Sequence, residues 1–450
     1  MSRNSMAINK DIRIAIIGAG MGGLATALAL AKEGFTHIDV YEAASDLGFV
    51  GAGIQLAPNM ARILDRLGVW GPIAKDATAL EAASIRKGST NEELAFSDMN
   101  WIPQSYGYQH MVGHRASLAG ELFDGCRREP AINFFLASPV TEIKSFGPKP
   151  TFVVSPRKNG GEPYAVTCDV LFGADGVKSP TRVAMLKEVG VDAKVVDSGQ
   201  AAYRIMLKRE QMEKDPELLE LIEGNRSTRW IGERKHIIAY PVSSKTIYNI
   251  STAHPDTNFA AAPDETYTTR GSKESMLSVY SDFCPMIQKI LNMVQEGEVC
   301  EWKLRVHEPL PTWIHGTTAL VGDSCHPTLP HLNQGAAQAI EDAAVVAIAL
   351  AKCPDSSPES ITKSLKVYEK LRKERAEALV AMAAANGKEM QLGDGAAAAE
   401  RDAAFKAFRE SGGQGKVPDK AADKGVLSFI YEWDASKETA KQFDGIFQTV

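Results

Sequence analysis

No stretch of this 450-residue sequence approaches the roughly 20 apolar residues that a membrane-spanning helix needs. No CxxC pair occurs among the six scattered cysteines, Cys126, Cys168, Cys284, Cys300, Cys325 and Cys353. Their spacing suits neither a zinc site nor a disulfide framework, so free thiols in a reducing compartment are expected and no metal is. The polar start, Met1 to Lys10, has no secretory apolar segment, and Gln448-Thr449-Val450 carries no retrieval or lipidation signal. A cytoplasmic address is the expectation. The net charge of -6 leaves no basic footprint for nucleic acid or an anionic membrane. No repeat of 20 to 50 residues is visible. What is present is ordinary globular material, 44% hydrophobic and 24% charged, which can bury a core without staples.

The run Ile14 to Ile17 reads as a strand buried on both faces, broken by Gly18 to Gly23. An alanine- and leucine-rich helix follows over Leu24 to Lys32, stopped at Gly34, and then a second strand, His37 to Tyr41. This is a βαβ unit of about 30 residues. Farther on, helices are expected at Asn59 to Leu67, Arg115 to Cys126, Gly335 to Ala351 and Pro358 to Ala385. Strands are expected at Ile132 to Val140, Phe152 to Val154, Val170 to Phe172, Ile237 to Pro241, Thr246 to Ser251 and Ala319 to Gly322. Asn159-Gly160-Gly161 signals a hairpin. The stretch from Ala77 to Tyr108 reads as looser and polar. From about Val183 to Leu310, strands alternate with acidic helical segments, as in an inserted sheet domain. The tail from Gly393 looks flexible around Gly412-Gly413-Gln414-Gly415.

In Gly18-Ala-Gly20-Met-Gly22-Gly23, the first glycine allows a tight turn and the second lets backbone approach a pyrophosphate. The third allows close helix–strand packing. Glu42 ends the second strand, where an acid takes a ribose hydroxyl pair. The motif predicts a dinucleotide but does not separate NAD from FAD. Two later segments bear on that choice: Gly173-Ala-Asp175-Gly176 after one buried strand, and Val321-Gly322-Asp323-Ser-Cys-His326-Pro327 after another. Gln334-Gly335-Ala336 then opens a helix.

These three motifs in this order resemble the single-component flavoprotein aromatic hydroxylases over about residues 11 to 390. Gly51-Ala-Gly53-Ile54, Ala202-Tyr203-Arg204, His236-Ile-Ile-Ala-Tyr240-Pro241 and His326-Pro327-Thr-Leu-Pro330-His331 resemble the branch of salicylate hydroxylase, 3-hydroxybenzoate 6-hydroxylase and 6-hydroxynicotinate monooxygenase. The resemblance implies an α/β fold, with a Rossmann-like FAD-binding domain (residues 1–80, 108–190 and 305–352). It also implies an inserted α+β substrate domain (81–107 and 191–304) and a C-terminal helical region (353–450). It implies bound FAD, with NADH or NADPH and oxygen as co-substrates and a small aromatic substrate. The absence of a second glycine-rich fingerprint fits a transient nicotinamide.

The resemblance also implies roles. Asp323, after Gly322, would bond a ribityl hydroxyl, and Arg115 the ribityl–pyrophosphate region. Gly53, Gly335 and Ala336 belong with the cofactor, the last two at a helix end aimed at the flavin pyrimidine. Asp175 would bridge FAD and NAD(P)H handling. His236 and Tyr240, four apart on a strand, face one side. They would orient the phenol and take its proton, with Pro327 over the flavin. Arg204 is the candidate for a substrate carboxylate or phenolate. His331 and Asn333 are placed toward the substrate. Plain readings stand beside these: turn residues for Asp175 and Asp323, packing for His236 and Tyr240, a surface ion pair for Arg204.

The expected activity is hydroxylation of an aromatic hydroxy-carboxylate, first of all salicylate with decarboxylation to catechol. Related hydroxylases without decarboxylation, acting on 3-hydroxybenzoate, a hydroxynicotinate or a polyketide phenol, are the alternatives, and a non-catalytic FAD-fold binding protein is the alternative of another class. Two departures from the pattern leave the substrate open. Ser324-Cys325 replaces small residues, and Asn333 stands where alanine is common. Phe429 to Trp433 could dock on a partner subunit, giving a homodimer, or on the chain's own core.

Overall fold

The structure is a computed structural model that describes residues 8–48, 52–157, 161–192, 195–257, 268–413 and 415–450. Gly51, the Asn159-Gly160 turn and Gln414 lie outside them.

The strand Arg13–Ile17 is buried along four of its five residues because it has parallel neighbours on both sides. His37–Tyr41 pairs with it in register from Arg13↔His37 to Ile17↔Tyr41, and Val170–Gly173 flanks it on the other side. A six-stranded sheet results, in the order Ile314–His315, Thr318–Leu320, Val170–Gly173, Arg13–Ile17, His37–Tyr41, Ile132–Phe135. The helices Met21–Lys32 and Gly335–Ala351 pack together on it. Both are rich in alanine, and a Cβ at Gly22 would come within 3.4 Å of Ala339 Cβ. Small side chains therefore bring two helix N-termini close to the carboxyl ends of the strands, where open α/β sheets bind ligands.

The second large sheet has eight strands, in the order Thr268–Arg270, Cys300–His307, Val195–Lys208, Ile247–Pro255, Lys235–Val242, Arg226–Gly232, Ala82–Lys87, Glu93–Asp98. Alternation along its strands divides the two faces. Tyr203, Ile205, Leu207, Ile237, Ala239, Tyr248 and Ile250 enter a core with the helices Pro216–Glu223, Lys273–Val279 and Pro285–Asn292. The intervening residues Ala202, Arg204, His236, Ile238, Tyr240 and Ser251 line a cavity on the other face.

The fold class is the one expected, and three local expectations change. The segment read as loose, Ala77 to Tyr108, supplies two strands of the large sheet. Ala82–Lys87 pairs in parallel with Arg226–Gly232, about 140 positions away, a contact no local pattern announces. The stretch Ile132 to Val140 is two strands, Ile132–Phe135 and Val140–Ser145, in different sheets, with Ala137 at φ 52° between them. The tail folds into the helices Ala396–Glu410, Lys424–Tyr431 and Ala435–Phe447, which bury Phe405, Phe408, Ile430, Tyr431 and Phe443. The Phe429–Trp433 stretch docks on the chain's own long helix Pro358–Met390. There Arg375 lies 5.0 Å from the Phe429 ring and 4.6 Å from that of Trp433. Among the described residues no helix is long and apolar enough to cross a membrane.

Candidate active site

The glycine turn sits where its sequence requires. Gly18 has φ 102°, which favours glycine, and its N–H donates to Tyr41 O at 2.8 Å. A Cβ on Gly18 would lie 2.4 Å from Ala174 O, and one on Gly23 would lie 2.0 Å from Gly18 O. Gly20 differs: a Cβ there meets nothing within 4 Å, and it lines a cavity of about 390 Å³. Glu42 holds the turn from the next strand. Its Oε2 accepts from Ala19 N–H and its Oε1 from Ala44 N–H, both at 2.8 Å.

That cavity collects residues from every motif. The nucleotide side contributes Gly20, Gly53, Arg115, Gly322, Asp323, Gly335 and Ala336. The sheet contributes Arg204, His236 and Tyr240, and Asn333, at φ 57°, closes the join. Gly53 is required by contact. Its N–H donates to Asn249 Oδ1 at 2.6 Å, and a Cβ would lie 2.7 Å from the Tyr240 ring. Arg115 opens the helix Arg115–Arg127, and among the described residues its guanidinium has no hydrogen bond or ion pair.

Arg204 lies in a row across four adjacent strands: Arg204 pairs with Ser251, Ser251 with Ile238, and Ile238 with Arg229. Its guanidinium stacks over the Trp302 ring at 4.6 Å and has no hydrogen bond or ion pair among the described residues. Burial first, and then the charge of Arg115, press its pKa down to about 10. A half-desolvated, unpaired cation of this kind is a ready anion site. The surface ion pair is not what the structure shows.

His236 is buried, and burial, with His331 and Arg229 adding to it, holds its imidazole uncharged at neutral pH. Gln391 Nε2 lies 3.0 Å from its Nδ1. Burial likewise keeps the Tyr240 phenol protonated, against the opposing pull of Arg204. Residues 236 and 240 thus place two neutral polar groups opposite one cation.

Besides Gly18, Gly23 and Glu42, which build the turn behind it, three expected site residues do not reach the cavity wall. Asp175 accepts from Ser179 Oγ and from Thr181 N–H at 3.0 Å, so its carboxylate serves the start of the helix Pro180–Glu188, while Ala174 and Gly176 line the cavity. Pro327 is buried, and Thr328 and Pro330 form the wall beside it. His331 packs its ring on His236, with centroids 5.2 Å apart, and meets Gln200 Oε1 at 3.1 Å. Its imidazole is pushed down to about 4, by burial and then by Arg229.

Residues that no motif announced complete the site. Arg229, in the strand Arg226–Gly232, pairs with Asp419 of the tail at 3.2 Å. Gln391 belongs to the C-terminal region. Asp342 sits beneath the Gly322 turn. Its Oδ2 accepts from Gly322 N–H at 3.0 Å and meets His326 Nε2 at 2.5 Å, and its Oδ1 accepts from Arg372 Nε at 2.8 Å. Arg372 and Arg375 both reach Glu341. This buried ionic cluster anchors the turn that carries Asp323. For Glu341 and Asp342 the advance signal was charge inside an otherwise apolar run.

The family described as FAD binding domain matches residues 11–383. The FAD-dependent monooxygenase atnJ of Arthrinium sp is 31% identical over 94% of this chain and 94% of its own length. The 3-hydroxybenzoate 6-hydroxylase 1 of Aquipseudomonas alcaligenes is 30% identical over 80% of this chain and 84% of its own. A salicylate hydroxylase substrate complex superposes with TM-score 0.75 at 23% identity, covering 96% of this chain and 98% of that one. The chain belongs to the FAD binding domain family. It is an FAD-dependent aromatic monooxygenase that draws reducing power from NAD(P)H. The residues present fit the cofactor: the Gly18–Gly23 cradle admits no side chain at its tight points and leaves Gly20 open to the cavity.

Proposed function

We propose that this enzyme hydroxylates an aromatic hydroxy-carboxylate, with salicylate, converted to catechol with loss of carbon dioxide, as the simplest member of the class. One observation carries the reading. An unpaired, stacked arginine shares a cavity with two neutral hydrogen-bonding groups and with the nucleotide turn. Arg204 would hold the substrate anion, and its charge would favour the ionised phenol. The Gln391 amide donates to His236 Nδ1, which leaves the proton on Nε2. In that form His236, together with Tyr240, donates to the phenolate oxygen and orients the ring. A histidine held uncharged so far below its usual range is a weak proton acceptor, so donation is the better-supported task.

Bound FAD, reduced by NAD(P)H, supplies the oxygen chemistry; the chain supplies placement and exclusion of water. Glu42 would take the ribose, Arg115 and Asp323 the ribityl–pyrophosphate region, and Gly335 with Ala336 the flavin pyrimidine. Asn333 would face the substrate beside them, and His331 would steady His236. Asp175 would act through its helix cap and Pro327 through the wall segment it anchors. The division into a nucleotide domain, a substrate domain and a helical region belongs to the same proposal. So does a cytoplasmic address, supported by six free cysteines, and so does a homodimer, for sedimentation to test.

The decisive measurement is a screen of NADH and NADPH oxidation over hydroxybenzoates, hydroxynicotinates and alkylphenols, with products identified by mass. Hydroxylated product from a hydroxybenzoate supports the reading. Aromatic-independent oxidation that yields only peroxide would overturn it.

A further inference from the structure

A second cavity, of about 440 Å³, adjoins the first. Gln55, Arg229, Ile238 and Asn333 line both and form the waist between them. The waist is polar and fixed. His110 Nε2 lies 2.8 Å from Gln55 Oε1 and its Nδ1 lies 2.9 Å from the Tyr431 hydroxyl. Arg229 is tied to Asp419, yet its Nε is buried with no partner. Beyond the waist the wall turns largely apolar, with Leu80, Ile85, Met99, Trp101, Phe408 and Ile430.

Dimensions decide what this space is for. From Arg204 to Arg229 the row crosses three strand spacings, about 14 Å. That is well beyond the span of one benzoate ring. A ring held at Arg204 leaves the far cavity free for other atoms of a larger substrate. Its volume lies within the range of drug-sized ligand sites. Part of its wall, residues 408–413 and 419–431, lies beyond the family's matched span of 11–383, and most of the rest comes from residues 80–110 and 227 within it.

We propose that the far cavity receives an apolar substituent of the substrate, so that the preferred substrate is a hydroxy-aromatic carboxylate extended by an alkyl chain or a further ring. This rests on the reaction proposed above. The reacting ring sits at Arg204, His236 and Tyr240, polar atoms of the substrate pass Arg229 and Asn333, and the extension lies under the C-terminal helices.

The test uses FAD-loaded enzyme and salicylates carrying butyl or hexyl chains at the 4, 5 or 6 position. Binding is read from the perturbed flavin absorbance and turnover from product mass. Affinity should rise by up to about fourfold per added methylene for at least one ring position. Ala421→Trp, at a half-buried position in the far wall, should weaken the hexyl compound at least tenfold and leave salicylate unchanged. A dissociation constant that stays flat or rises with chain length at every position overturns the assignment. So does a folded, FAD-containing Ala421→Trp protein that binds both ligands as wild type does or weakens both alike. If the variant does not fold, the chain-length series on wild type decides alone. Tighter binding of extended ligands with no hydroxylated product from any ring would leave the cavity assignment standing and overturn the proposed reaction.

Discussion

Gln391 and His236 meet at 3.0 Å, joining the residue that follows the long helix Pro358–Met390 to the strand that faces the candidate site. The contact gives the C-terminal region a direct hold on the orientation and tautomer of a buried imidazole. Gln391→Leu should therefore lower product per NADH about tenfold, the effect of one lost hydrogen bond of about 1.4 kcal/mol. His236→Ala should lower it about 100-fold. Tyr240→Phe should bind FAD normally while shifting NADH consumption toward peroxide. Product yields equal to wild type in all three would remove this pair from the site.

Arg204 tests the anion. In Arg204→Met the Trp302 face stays covered but the charge is gone. KM for a hydroxybenzoate should rise by about ten- to 100-fold, with the methyl ester much less affected, because a charged hydrogen bond contributes about 1.5–3 kcal/mol. An equal rise for acid and ester would point to lost packing instead.

The glycines separate folding from cofactor capture. Gly20→Ala meets no protein atom within 4 Å and should fold normally yet hold FAD more weakly, since its methyl group enters the nucleotide cavity. Gly23→Ala places a methyl 2.0 Å from Gly18 O and should lower the unfolding temperature as well. Thermal unfolding of the apo forms beside flavin content of the purified proteins distinguishes the two.

Asp342 carries a pH signature. Burial alone would raise its pKa, but His326 and Arg372 outweigh that and hold it at about 2. A depressed carboxylate adds stability above its unfolded value of about 3.9, and that stability is lost as pH falls toward 2. His326 has the opposite sign. Burial would lower its pKa, yet the Asp342 charge raises it well above normal. Its contribution is full below about pH 6.5 and is lost as pH rises through the folded value. Asp342→Asn should destabilise by about 3–5 kcal/mol at pH 5, because it strands buried cations. In denaturant melts the gap to wild type should shrink between pH 4 and 2. A gap constant over that range would show that the carboxylate is not the charged partner.

The βαβ start and the helix Gly335–Ala351 were legible because their signals are local: an unbroken apolar run, glycines at fixed spacing, small residues over a whole helix. His236 and Tyr240 were legible as one face of a strand through the period of two, and Arg204 through the resemblance alone. Arg229, Gln391 and Asp419 were not, since sheet register and the docking of a distant tail bring them together. Ala82–Lys87 and Glu93–Asp98 read as loop because the latter is an edge strand with an exposed Phe96 and the former finds its parallel partner far along the chain. The tail read as flexible because alanine and lysine are neutral about packing. Phe405 and Phe408 decide its helix face only once the sheet edge is there to receive them.

The order of residues around the two cavities sets an order of events on the ribosome. Every residue lining the nucleotide-side cavity has been synthesised by Ala339, whereas the far wall of the second waits for residues 408–431. A nascent chain thus holds every residue that lines the cofactor's groove before the substrate's enclosure exists. The helix Ala435–Phe447, whose Ala435 and Phe443 pack into the nucleotide-side core, then buttresses that groove last of all.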